Sequence, residues 1–184
     1  MITTLRTNRL LLRKISVNDS SMLFRIWSDP EVTKFMNISS FTDENQAVEM
    51  IQFLNQLYKD NQAIRYSIIE LSTNHIIGTC GFNSIDQENN KAEIGYELAK
   101  EFWGKGYAKE AISKLLQLAF QSINLNRIEA KIDPDNLNSI SLIEKLQFTF
   151  EGTLRQYEKD DGKYIDLNLY SKRRSDHLKS PIFE

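Results

Sequence analysis

Between Ala92 and Leu98 the chain alternates strictly: Ala92, Ile94, Tyr96 and Leu98 fall on one side, and Glu93, Gly95 and Glu97 on the other. That period of two predicts a strand with one face on the core. A glycine-bearing segment follows, and then the period lengthens. Ala108, Ala111, Ile112, Leu115 and Ala119 recur at helical spacing, with Ser113, Lys114, Gln117 and Gln121 opposite, which predicts a helix over Tyr107 to Ser122. Alternation returns at Ile128, Ala130 and Ile132 against Glu129 and Lys131, and a short helix is expected over Leu137 to Leu146.

The first half of the chain has the same two periods. Arg9 to Lys14 brackets three leucines with basic residues and reads as a short strand. Asn18 or Asp19 can cap a helix through Trp27 that Asp29-Pro30 ends, and Thr42 or Asp43 can cap a second, whose Ala47, Met50, Ile51, Leu54 and Leu57 share a face. Ile64 to Leu71 and His75 to Ile85 read as paired strands around a Ser72-Thr73-Asn74 turn. Phe148 to Tyr157 and Lys163 to Tyr170 read as a closing hairpin. The order is β-αα-βββ-α-β-α-ββ, an α/β domain around a mixed sheet with helices over its faces.

Composition narrows the class. The 184 residues are 41% hydrophobic and 26% charged, which fits one folded domain across 1–184 and not a disordered chain. A net charge of −2 gives no electrostatic reason to expect a nucleic-acid partner. No run approaches the ~20 apolar residues of a membrane span, and Met1 to Lys14 resembles neither a signal peptide nor an anchor. The single cysteine, Cys80, excludes an intramolecular disulfide and a cysteine-rich metal site, so a reducing cytoplasmic setting and no metal are expected.

The most informative segment is Phe102-Trp103-Gly104-Lys105-Gly106-Tyr107-Ala108-Lys109. It lies where a strand gives way to the strongest helix. Amides in the first turn of a helix have no internal partner, and with the helix dipole they suit a phosphate. Gly104 and Gly106 allow close backbone approach, and Lys105 and Lys109 add positive charge. The spacing is neither that of a P-loop nor G-x-G-x-x-G, because Lys109 stands at the third glycine. On these residues alone a different phosphate ligand, such as a nucleotide, stays open.

Trp103-Gly104-Lys105-Gly106-Tyr107-Ala108 resembles the pyrophosphate loop of the GNAT acetyltransferase superfamily, [QR]-x-x-G-x-[GA]. Its aromatic first position is usual in the branch of the ribosomal-protein N-acetyltransferases (RimJ/RimL-like). Thr7 to Arg13, Ile77 to Phe82, Ala92 to Leu98, Asn136 with Ser139, Lys145-Leu146 with Phe148, and Glu151 to Arg155 with Asp160-Asp161-Gly162 resemble that branch in order, from about Thr3 to Ser171. The remainder, 172–184, is expected as a C-terminal tail. Gln147 departs from the branch, which has glycine there, so a different backbone is expected after the preceding helix.

The resemblance implies a mostly antiparallel central sheet with helices on both faces, and transfer of acetyl from acetyl-CoA to a primary amine in a ternary complex. It implies that a bulge splays the strand before the loop from its neighbour, so that the cofactor's pantetheine pairs with main-chain atoms of Leu98 and Ala99. The Lys105 to Lys109 amides would hold the pyrophosphate, and Asn136 would bond the pantetheine arm, although as a residue type it is equally a helix cap. Glu93 is the first candidate base, alternatively a solvated strand carboxylate, and Glu97 is a weaker candidate on the same face. Ser139 would protonate the departing thiolate, and the Leu98 N–H would polarise the carbonyl.

A protein N-terminal amine, ribosomal by resemblance, has pKa ~7.7–8.0 and needs less help than a lysine near 10.4. The branch also acetylates polyamines, amino acids and antibiotics. The acceptor is expected between the Asp19 to Leu57 helices and the Glu151 to Asp166 hairpin, near Asp29, Glu31, Glu49, Glu151, Glu158, Asp160 and Asp161. A catalytically silent acyl-CoA-binding module is the alternative to an enzyme, and general frequency allows a homodimer.

Overall fold

The computed structural model describes residues 2–160 and 162–179. Eight strands form one sheet: β1 (Thr4–Arg6), β2 (Leu10–Lys14), β3 (Ile64–Glu70), β4 (Ile76–Asp86), β5 (Lys91–Leu98), β6 (Arg127–Ile132), β7 (Thr149–Asp160) and β8 (Lys163–Arg173). Their order is β1-β2-β3-β4-β5-β6-β8-β7, antiparallel throughout except for the β5–β6 pair.

Helices cover both faces. α1 (Ser20–Trp27), α2 (Pro30–Thr33) and α3 (Glu44–Lys59) lie over one. There Leu23, Trp27, Ala47 and Ile51 make a cluster with Ile15 and Ala99. α4 (Tyr107–Gln117) and α5 (Leu137–Lys145) serve the larger core, in which Ala111, Ile112, Leu115 and Ile143 meet the inward residues of β2 to β6. α6 (Arg174–Lys179) follows β8.

Local chemistry sets the helix ends. Asp43 caps α3 by accepting from the Asn45 N–H at 2.7 Å, and Gln46 reaches back to the Asp43 N–H at 3.1 Å. At α1 the expected cap moves upstream. Ser16 caps a 3-10 turn over Val17–Asp19, and Asp19 makes no cap bond of its own. The buried Asp19 carboxylate instead accepts from the Ser16 N–H (2.9 Å), Arg13 (2.7 Å) and Ser67 (2.7 Å). Asp29-Pro30 does end α1, and then starts α2, with Asp29 accepting from the Glu31 N–H at 2.9 Å.

The closing strand runs past Tyr170 to Arg173, so the region from 172 begins as sheet and continues as α6. Lys172 is buried there and donates to the Leu146 carbonyl at 2.8 Å; residues 180–184 lie outside the described residues. Among the described residues no helix is long and apolar enough to cross a membrane. Cys80 is buried in β4, which pushes its thiol up to about 12 and leaves it no part in nucleophilic chemistry.

Gln147 corrects one expectation. Its φ of 61° is the left-handed conformation a glycine would take, so the turn after α5 keeps a glycine-like backbone with a side chain in place. Left-handed backbone disfavours a Cβ by about 1–2 kcal/mol, partly offset by glycine's greater unfolded freedom. Gln147→Gly is therefore expected to stabilise the protein by roughly 0.5–1 kcal/mol in denaturant unfolding.

Candidate active site

β5 and β6 part company. They pair in parallel at Lys91–Arg127, Ala92–Ile128 and Glu93–Glu129, and no pairing follows. Opposite the point of parting, β4 carries an extra residue, Asn83, because Phe82 faces Ile94 and Ser84 faces Glu93. The expected bulge thus lies in β4 on the far side of β5, while the splay lies between β5 and β6. Gly95 lets the bulge sit close: a Cβ there would meet the Asn83 side chain at 2.5 Å.

The splay exposes one edge of β5. Ala99 donates to the Ile77 carbonyl at 2.9 Å, and in an antiparallel ladder such bonded positions alternate. Tyr96 and Leu98 therefore turn their N–H and C=O groups away from β4, toward the gap. The Leu98 N–H is one of the groups on that side. The Leu98 carbonyl is taken by the Trp103 indole N–H at 2.8 Å. Ala99 does not keep its role: its N–H goes to β4 and its carbonyl accepts from the Phe102 N–H at 3.0 Å.

At the end of β5 the loop takes the shape that glycine permits. Gly104 and Gly106 have φ of 73° and 81°. The α4 ladder begins with the Glu110 N–H on the Gly106 carbonyl at 3.1 Å, so the amides of Tyr107, Ala108 and Lys109 precede the first helical bond. Lys105, Gly106 and Lys109 are exposed, and Ala108 packs on the core. The segment presents amides and two lysines to solvent, which is what an anion site needs.

A cavity of about 520 Å³ passes through the gap and reaches both faces of the sheet. On the α5 side it meets Asn136, Ser139 and Tyr96; on the α1–α3 side it meets Trp27, Met50, Glu93 and Glu97. Asn136 caps α5, its Oδ1 accepting from the Ser139 N–H at 3.1 Å, and this leaves the amide NH₂ unspent on the helix. Ser139 Oγ lies 2.7 Å from the Tyr96 hydroxyl. Burial pushes Tyr96 up to about 12, against the opposing pull of that hydrogen bond, so it holds its proton at any physiological pH. The alternating pattern had assigned Tyr96 to the apolar face; the signal for a second role is that a half-buried phenol needs a polar partner.

The two carboxylates differ. Glu93 pairs with Lys131 at 2.7 Å, and Lys131 also stands 4.9 Å from the Tyr157 ring centre. Burial opposes the Lys131 charge, but Glu93 and Tyr157 outweigh it and hold the ammonium above its usual range. Glu97 is no solvated carboxylate: it is buried, accepts from Trp27 Nε1 at 3.0 Å, and is bonded by Thr79 and Arg65. That saturation removes it as a base and makes it a tie between α1, β3, β4 and β5.

Of the acidic residues expected around the acceptor, Glu158 and Asp160 line the cavity, and Glu158 accepts from Asn37 at 2.6 Å to bridge its two walls. Glu31 pairs with Lys100, Asp29 caps α2, and Glu151 binds Arg127, so these three are committed elsewhere. Asp161 lies outside the described residues.

Removing Glu97 leaves the half-buried Arg65 charge with only the neutral partners Thr79 and Asn83, and takes the acceptor from the buried Trp27 N–H. Glu97→Ala is expected to cost about 3–5 kcal/mol in chemical unfolding, and Glu97→Gln less, since it keeps an acceptor.

The chain resembles known proteins along most of its length. The acetyltransferase (GNAT) domain family matches residues 9–149. An uncharacterized N-acetyltransferase, p20, of Bacillus licheniformis is 55% identical over 168 residues, 91% of this chain and 94% of that protein. A ribosomal-protein-serine acetyltransferase of Escherichia coli is 36% identical over 97 residues, 53% of this chain and 54% of that protein. The microcin C7 self-immunity acetyltransferase MccE, solved with acetyl-CoA and AMP, superposes with a TM-score of 0.82 at 27% identity, covering 91% of this chain and 93% of that one. The gap beside β5, the glycine loop and these relatives together make the chain an acyltransferase of the GNAT N-acetyltransferase family, among its RimJ/RimL-like members.

Proposed function

We propose that the enzyme binds acetyl-CoA along the free edge of β5 and passes its acetyl group directly to a primary amine entering from the α1–α3 side. The observation that carries the reading is the unpaired Leu98 N–H in the gap, continuous with the loop amides at the start of α4. An extended amide-bearing arm can pair with such an edge as an added strand. The diphosphate would lie on the amides of Lys105 to Lys109, and Asn136 would bond the arm. MccE was solved with acetyl-CoA, which supports the same donor here.

In the step proposed, the neutral amine attacks the thioester carbonyl, whose developing oxyanion the Leu98 N–H accommodates. The C–S bond then breaks and the sulfur takes a proton from Ser139, backed by Tyr96. Glu93, about 17 Å along β5 from Leu98, takes the proton lost by the amine through a chain of cavity waters, with the oxygen that Lys131 does not hold, and water returns a proton to Ser139. The products are an N-acetyl amide and CoA thiol.

The favoured acceptor is a protein N-terminal α-amine, whose low pKa spares a base already paired with a cation. The ribosomal-protein acetyltransferase among the relatives supports it. MccE, a self-immunity enzyme, supports a small-molecule amine as the second reading. The reading includes a cytoplasmic setting, where acetyl-CoA is made and used.

Calorimetric titration is expected to give saturable acetyl-CoA binding to wild type, none to Gly106→Glu, and none of AMP to either. Absence of acetyl-CoA binding by folded wild type would refute the reading. A panel of amines and N-terminal peptides then identifies the acceptor.

Ser139→Ala is expected to lower kcat about 10²-fold, the lower range for a positioned acid. Tyr96→Phe should act in the same direction, and acetyl-CoA affinity should survive in both. Because the Tyr96 hydroxyl titrates only near 12, the rate should rise with pH as the amine deprotonates. Stopped assays should show no falling limb from Tyr96 below pH ~10.

A further inference from the structure

The turn between β1 and β2 packs on the first turn of α4, and one residue there makes more contacts than a surface arginine needs. The Arg9 main-chain N–H donates to Glu110 Oε1 at 2.9 Å and its Nε to Oε2 at 2.7 Å, while Thr7 Oγ1 donates to Oε1 at 2.6 Å. Arg9 Nη1 donates to the Lys105 carbonyl at 3.0 Å, and the guanidinium stacks 4.4 Å from the Tyr107 ring centre. The Tyr107 hydroxyl in turn bonds Glu70 at the end of β3.

Two features of this arrangement bear on an anion. Glu110 is an acidic residue in the first turn of α4, where it would repel a phosphate. Arg9 offsets that charge. A trans peptide also holds its C=O and N–H in opposite directions. Fixing the Lys105 carbonyl on Arg9 therefore turns the Gly106 N–H away from the guanidinium, to the exposed side of the loop. Gly106, at φ 81°, would otherwise leave that peptide plane free to rotate.

We propose that Arg9 is a positioning residue for the cofactor diphosphate: anchored on Glu110, Thr7 and Tyr107, it sets the Lys105–Gly106 peptide so that its N–H meets the diphosphate. The inference rests on the acetyl-CoA reading above and adds a residue from outside the loop to it.

The test compares acetyl-CoA with S-acetylpantetheine, which lacks the diphosphate, on wild type, Arg9→Ala, Arg9→Lys and the Arg9→Ala/Glu110→Gln double variant. Calorimetry reads the first ligand and NMR shifts the second, with thermal unfolding run on each protein. Arg9→Ala should weaken acetyl-CoA roughly tenfold, the scale of a charge-assisted hydrogen bond. S-acetylpantetheine affinity should hold, Arg9→Lys should fall between, and the double variant should not recover.

Unchanged acetyl-CoA affinity in Arg9→Ala overturns the proposal. So does an equal loss for both ligands, which marks general disruption, and so does full recovery in the double variant, which would reduce Arg9 to a neutralising charge. Wild type that fails to bind acetyl-CoA sinks the cofactor reading as well, and that result is distinct from the others.

Discussion

The site depends on a hydrogen-bonding ladder that stops early. β5 and β6 pair for three positions and then separate, leaving the main-chain N–H groups of Tyr96 and Leu98 without strand partners. Backbone groups left unpaired in a protein interior are costly, so such an edge persists only where water or a ligand can meet it. The cavity meets that condition along Gly95 and Tyr96. The bulge at Asn83 and the absent side chain at Gly95 shape β5 from one side, and the Arg65–Glu97–Thr79–Trp27 network braces it on the α1–α3 face. Trp103 caps the Leu98 carbonyl, so that what remains at the end of the edge is a donor.

The sheet then separates two kinds of chemistry. On the α5 face are hydroxyls that keep their protons, Tyr96 and Ser139, suited to giving one to a leaving sulfur. On the α1–α3 face are carboxylates, each already matched to a cation: Glu93 with Lys131 and Glu97 with Arg65. The alternation of β5 produces the division, since Tyr96 and Glu97 are neighbours in sequence and point to opposite sides.

Strong periodicity made much of this legible from the chain. The β5 alternation, a cap at Thr42 or Asp43 and the positive-φ glycines before α4 are found in the structure, Asp43 being the cap. The helix expected to Ser122 is α-helical to Gln117 and closes in a π turn over Leu118–Ser122. Short or exposed elements were not legible: β1 has three residues and α2 four, too few to show a period. The run from Lys172 into α6 depends on tertiary contacts, including a buried lysine that no local pattern announces. Within the site, sequence could place Glu93 and Glu97 on one face but could not show that Arg65, 32 positions from Glu97, saturates the second. Ala99 was misassigned for a similar reason, because one residue of ladder parity decides whether an amide faces the gap or β4.

The central claim is that the free edge of β5 is a binding surface. Residue-resolved amide hydrogen exchange with and without acetyl-CoA tests it most directly. The account predicts that acetyl-CoA slows exchange at the Leu98 amide and across Lys105 to Lys109, while the Ala99 amide, already bonded to β4, stays as protected as before. Binding that leaves the Leu98 amide unchanged would contradict it, placing the cofactor somewhere other than in the gap.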